Sequence, residues 1–97
     1  MKALKKVIES LILPMFPWVV DYDIIPIKIS DVILIRIVYY TDGVIEVSKD
    51  HQKIEEQTKT LYNMIGGVDN AIYEGIAIKS IENKGVGYKY KDELFGM

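Results

Sequence analysis

Ninety-seven residues, 49% of them apolar and 27% charged, are one globular domain's worth of chain with no room for a second core. That composition excludes a disordered, collagen-like or low-complexity chain. Twelve Lys and Arg against fourteen Asp and Glu give a net charge of −2, far from the basic surplus of a duplex-DNA binder. The absence of cysteine excludes a disulfide scaffold, a cysteine-held zinc site and thiol chemistry.

The chain opens Met1-Lys2 and turns apolar, as a signal peptide would. Lys5, Lys6 and Glu9 interrupt that stretch, however, and no small-residue cleavage site follows. Leu4, Val7, Ile8, Leu11 and Ile12 fall at i, i+3, i+4, i+7 and i+8, one face of a helix, with Lys2, Lys5, Lys6 and Glu9 on the other side. Pro14 should stop this helix, and Pro14-Met15-Phe16-Pro17 should form a stiff apolar elbow.

From Trp18 the period becomes two. Val20, Tyr22 and Ile24 alternate with Asp21 and Asp23 as in a half-buried strand that ends, bulges or lies at a sheet edge at Pro26. Ile27-Lys28-Ile29 can continue it, and Ser30-Asp31 signals a turn. Val32–Tyr40 is β-branched and aromatic on both faces except at Arg36, which predicts a central strand covered on both sides. This run is much shorter than the ~20 apolar residues of a membrane-spanning helix. The expectation is a cytosolic protein, or a virion protein assembled in the cytosol, without a membrane partner.

Asp42-Gly43 suits a tight turn, and Val44–Val47 could return as a short strand. Ser48 or Asp50 can cap a helix whose apolar side is Ile54, Thr58, Leu61 and Ile65, with Met64 beside them. Lys53, Glu55, Glu56, Gln57 and Lys59 make its wet side, and Gly66-Gly67 ends it in a left-handed cap. A strand over Ile72–Glu82, a hairpin turn at Asn83-Lys84-Gly85 and a strand through Val86, Tyr88 and Tyr90 complete the chain. The predicted class is α+β in the order α-β-β-(β)-α-β-β. One mixed or antiparallel sheet is expected, with two helices on one face. They would pack through Leu4, Val7, Ile8 and Leu11 and through Ile54, Leu61 and Ile65.

Reactive groups do not converge in this pattern. Asp21 and Asp23 share a strand face, but a hard cation needs more oxygen ligands than two. His51, the one histidine, falls in the first turn of a helix without an orienting partner or nucleophile. Glu55-Glu56 and Asp92-Glu93 are adjacent, so they do not face one another as an acid/base pair must. Gly85-Val86-Gly87 opens no helix and so is no phosphate loop. The sequence therefore predicts no catalytic residue, metal or cofactor.

Two stretches remain as binding candidates. Tyr88-Lys89-Tyr90-Lys91 could stack single-stranded bases and track phosphates, although on a strand the tyrosines and lysines point to opposite faces. Sixteen isoleucines and seven tyrosines exceed what so small a domain can hide, since about two-thirds of the unfolded surface is buried at this size. Pro14-Met15-Phe16-Pro17-Trp18 and Leu94-Phe95 fit no core-facing element and are the expected interface of a homo-oligomer.

The amphipathic helix with its proline elbow, the strand Val32–Tyr40, the helix Asp50–Ile65, the Gly66-Gly67 stop, the strand Gly75–Ile81 and the end Gly87-Tyr88-Lys89-Tyr90-Lys91-Asp92-Glu93 together resemble a known family. They are similar in order and spacing to the tail-completion, or tail-terminator, proteins of tailed bacteriophages and prophages. The resemblance implies a small non-enzymatic α+β subunit of the virion or host cytoplasm. It also implies rings, commonly hexameric, that cap the tail tube and meet other tail or head-connector proteins.

Overall fold

The structure is a computed structural model that describes residues 2–42, 51–67, 71–80 and 87–89. The chain is an α+β domain: helices cover one face of a four-stranded mixed sheet of order β1-β2-β3-β4. Strand β1 (Val19–Ile29) pairs antiparallel with β2 (Val32–Thr41), β2 pairs parallel with β3 (Ile72–Ser80), and β3 pairs antiparallel with β4 (Gly87–Lys89). The parallel pair is joined through the helix α3 (His51–Met64), as a parallel connection requires. The predicted strand at Val44–Val47, the caps Ser48 and Asp50 and the turn at Asn83-Lys84-Gly85 lie outside the described residues.

The first helix departs from simple α geometry. Helix α1 (Lys2–Val7) passes into a π-helical turn over Ile8–Ile12, then into α2 (Leu13–Met15). Leu4, Ile8, Ile12 and Phe16 are buried at a strict spacing of four. In a pure α-helix that spacing drifts around the axis, because four residues exceed one turn of 3.6. The wider π turn takes up the excess and holds all four against the sheet. Each contributes about 1.5–3 kcal/mol of burial. Leu11, expected on this packed face, is instead about half exposed, because the π turn rotates it outward.

Pro14 does not stop the helix. The preceding turn closes with an i→i+5 bond from the Leu13 amide to the Ile8 carbonyl, and the chain stays helical through Met15. In an α-helix the proline ring would meet the carbonyl four residues back, and the widened turn relieves that clash. The Phe16 amide then bonds Ile12 O, and the Val19 amide bonds Phe16 O, which turns the chain back along the helix. Glu9 Oε2 accepts from Tyr22 Oη at 2.6 Å. Glu9 lies about 10 Å back from Phe16 at 1.5 Å per residue, and Tyr22 about 10 Å beyond Val19 at 3.3 Å, as an antiparallel return demands.

The sheet therefore has two ends. The elbow end holds Val19, the close of β2 and the start of α3. The hairpin end holds Ile29, Val32, the start of β3 and the close of α3. Ser30 and Asp31 alone join Ile29 to its partner Val32, with Ser30 at φ 55°. A two-residue hairpin loop with a positive first φ fits a type II′ turn.

Period-two alternation places Tyr22, Ile24, Ile35, Ile37, Tyr39, Ile76 and Ile78 on the helix-covered face. The buried residue at the start of β1 is Val19 rather than the expected Val20, which is 49% exposed. A bulge between Val19 and Asp21 resets the alternation there. On α3 the packed side is Ile54, Glu55, Thr58 and Tyr62, with Leu61 and Ile65 half-buried and Met64 exposed. Glu55, expected on the wet side, is buried because Tyr73 of β3 donates its hydroxyl to Glu55 Oε2 at 2.8 Å. The helix ends as read from sequence. The Gly66 amide bonds Asn63 O and the Gly67 amide bonds Tyr62 O, with both glycines near φ +80°, a Schellman cap.

Candidate functional site

The opposite face of the sheet presents the more unusual surface. Cross-strand register places Ile25, Ile27 and Ile29 of β1 beside Arg36, Leu34 and Val32 of β2, and Leu34 beside Ile72 of β3. Helices cover the other face, so these residues meet no helix among the described residues. Ile29 and Ile72 are more than half exposed, Val32 and Ile25 slightly less, and Ile27 and Leu34 half-buried. Six aliphatic side chains thus form one continuous patch at the hairpin end. Contiguous exposed apolar surface marks an interaction site far better than scattered single residues do. Met64, the most exposed large apolar residue at 74%, closes α3 at the same end.

Toward the elbow end this face becomes closed and polar. Val38 and Ala77 are buried and pack with Tyr40. Tyr40 donates its hydroxyl to Asp23 Oδ2 at 2.9 Å. Partial burial, with the Asp23 bond second, pushes the Tyr40 phenol up to about 12, and Tyr22 rises equally through burial and its bond to Glu9. Between the two regions, register slips by one residue after Ile35, so that Arg36 faces Gly75 and Glu74 is the extra residue. Arg36 Nε stands 3.4 Å from Glu74 Oε2, so the buried Glu74 has a cation beside it.

Pro26 sits in β1 opposite Ile35 with no bulge. Lacking an N–H, proline fits only where its nitrogen faces away from the partner strand, toward the free edge. The edge of β1 therefore offers another chain an interrupted row of donors.

The expected interface residues divide. Phe16 is buried at 2% exposure and meets the half-buried Trp18 edge-to-face at 6.0 Å, so both fold against the core. Pro14, Met15 and Pro17 are exposed. Leu94 and Phe95 lie outside the described residues, as do Tyr90, Lys91, Asp92 and Glu93. Tyr88 and Lys89 lie in β4 opposite Ile78 and Ala77. Asp21 and Asp23 are exposed, and Asp21 Oδ1 accepts from the Tyr22 amide at 2.8 Å. Among the described residues, no three His, Asp or Glu side chains gather as a metal site, and no helix is long and apolar enough to cross a membrane. No protein-family model, curated protein or solved structure matches the chain.

Sequence reasoning missed the Ile25–Leu34 patch. The two-residue turn Ser30-Asp31 was the signal that could have found it, because it fixes Ile29 opposite Val32 and puts all five positions on one face. Ile72 carried no such signal, since its place depends on pairing with Leu34 of β2, far away in sequence.

Proposed function

We propose that this chain is a structural assembly subunit, working by self-association rather than catalysis. The observation that carries the reading is the aliphatic patch Ile25, Ile27, Ile29, Val32, Leu34 and Ile72, which one copy leaves open to solvent. The element order, which resembles phage tail-completion proteins, supports a ring that meets tail or head-connector proteins of a virion. In that setting each subunit acts through shape and apolar complementarity, and a heterologous contact closes the ring. Size-exclusion chromatography with light scattering, followed by negative-stain electron microscopy, tests it. A mass several times 11.1 kDa and annular particles are expected. A strict monomer at high concentration with featureless micrographs refutes it.

A further inference from the structure

Strand β1 is the longest described strand, at eleven residues, and it lies at the edge of the sheet, with β2 its one neighbour among the described residues. A long apolar edge is where two chains join into one continuous sheet. The segment Ile24-Ile25-Pro26-Ile27-Lys28-Ile29 holds four isoleucines in six residues and one charge. Apart from its proline, it has the β-propensity and low charge of a segment that stacks strand upon strand.

Backbone direction decides which amides this edge offers. Along one strand of an antiparallel pair, successive amides point alternately to the partner and away from it. Pro26 occupies an outward position, and the register from Asp21 to Ile29 is unbroken, so the amides of Tyr22, Ile24 and Lys28 point outward as well. The Tyr22 amide agrees with this parity: it donates to Asp21 Oδ1 at 2.8 Å. A carbonyl arriving from another strand would meet that carboxylate in its place. Of the outward positions 22, 24, 26 and 28, one is therefore capped and one has no hydrogen to donate. The two amides left, of Ile24 and Lys28, stand four residues or about 13 Å apart, twice the spacing at which a ladder bonds along one edge.

We propose that Asp21 and Pro26 together close the β1 edge to strand addition, so that copies of this chain held side by side do not run on into a continuous sheet. The two residues block the positions on either side of Ile24, and no two successive outward positions stay open. This goes beyond the self-assembly reading and stands whether or not the chain assembles.

Asp21→Ala/Pro26→Val, at two exposed positions, opens the edge, and circular dichroism checks that the variant folds. Thioflavin T fluorescence and sedimentation velocity follow growth at equal concentrations. The double variant should form sheet-joined polymer at least about tenfold faster than wild type, with each single variant between them. A second measurement needs no polymer: in the wild-type protein the Tyr22 amide should exchange with solvent more slowly than the Ile24 and Lys28 amides, and Asp21→Ala should erase the difference. A folded double variant that polymerises no faster than wild type overturns the proposal. So does a wild-type Tyr22 amide that exchanges as fast as that of Ile24, and this comparison decides alone if the double variant does not fold.

Discussion

The hydroxyl relay between β2 and α3 offers a sharp test of the core. Thr58 Oγ1 donates its single proton to the Ile54 carbonyl at 2.6 Å, so at 3.0 Å Tyr39 Oη must donate to Thr58. Tyr39 is 0% exposed and Thr58 1%, so water cannot replace either partner. Thr58→Val preserves shape but leaves the phenol proton buried without an acceptor, which costs about 1–3 kcal/mol. Tyr39→Phe removes the donor and leaves Thr58 bonded to Ile54, at about 0.5–1.5 kcal/mol. The double variant loses the hydrogen bond but strands no donor. Adding Tyr39→Phe to Thr58→Val should therefore recover about 1 kcal/mol rather than lose more. Urea unfolding followed by circular dichroism measures all four corners of the cycle. If the two costs add to within about 0.5 kcal/mol, the relay carries no coupling and the reasoning fails.

Stability should fall on the alkaline side. Tyr22 and Tyr40 are pushed up to about 12, and burial raises Tyr39 further, whereas in the unfolded chain all three ionise near 10. The unfolded state therefore releases protons first, and stability is lost as pH climbs from about 10 toward 12. Thermal melts across that range should show the decline, flattened in a Tyr22→Phe/Tyr40→Phe variant. Ser30→Gly should stabilise by about 0.5–1 kcal/mol, because the positive φ of 55° at the hairpin turn suits glycine; an unchanged urea midpoint would contradict this. Gly66→Ala should cost about 1 kcal/mol and Gly66→Asn less, since φ is +82° and nothing stands within 4 Å of an added Cβ. Equal urea midpoints for the two variants would show that the left-handed backbone is not what this position demands.

Those elements were legible whose causes are local. Val32–Tyr40 announced a central strand, which lies between β1 and β3, although its expected cover on both faces fails at Val32, 40% exposed on the face without helices; Gly66-Gly67 announced its cap through the one conformation glycine takes cheaply. Illegible features had their causes in another element. Glu55 reads as solvated on its own helix, and only the Tyr73 hydroxyl of β3 makes its burial tolerable. Val19 replaces Val20 in the core because a bulge, which leaves no compositional trace, shifts the register. The elbow looked exposed because it fitted no core-facing element, yet the turn bond from Val19 to Phe16 folds its aromatic pair inward. The candidate surface was half legible: the turn specified its β1–β2 part, while Ile72 required the tertiary arrangement.

The π turn connects these levels most directly. Buried positions 4, 8, 12 and 16 are one residue too widely spaced for an α-helix, whose stripe runs i, i+4, i+7, i+11. Removing one residue between Ile8 and Ile12 restores that α spacing for the same four side chains. Ser10 is exposed and within the π turn, and no hydrogen bond from its side chain is seen among the described residues. Deleting it should convert the segment to a continuous α-helix, with Leu4, Ile8, Ile12 and Phe16 still packed on Ile35, Ile37 and Ile76. In a Pro14→Ala background, which removes the ring that would meet the carbonyl four residues back in a regular helix, stability should then change by less than about 1 kcal/mol, because burial is conserved and one wide turn is replaced by regular hydrogen bonding. Deleting Ile12 instead removes a fully buried side chain and should cost at least about 2–5 kcal/mol. Urea denaturation of both deletions distinguishes the cases: if loss of Ser10 is as damaging as loss of Ile12, the wide turn is part of the packing itself rather than an adjustment to an extra residue.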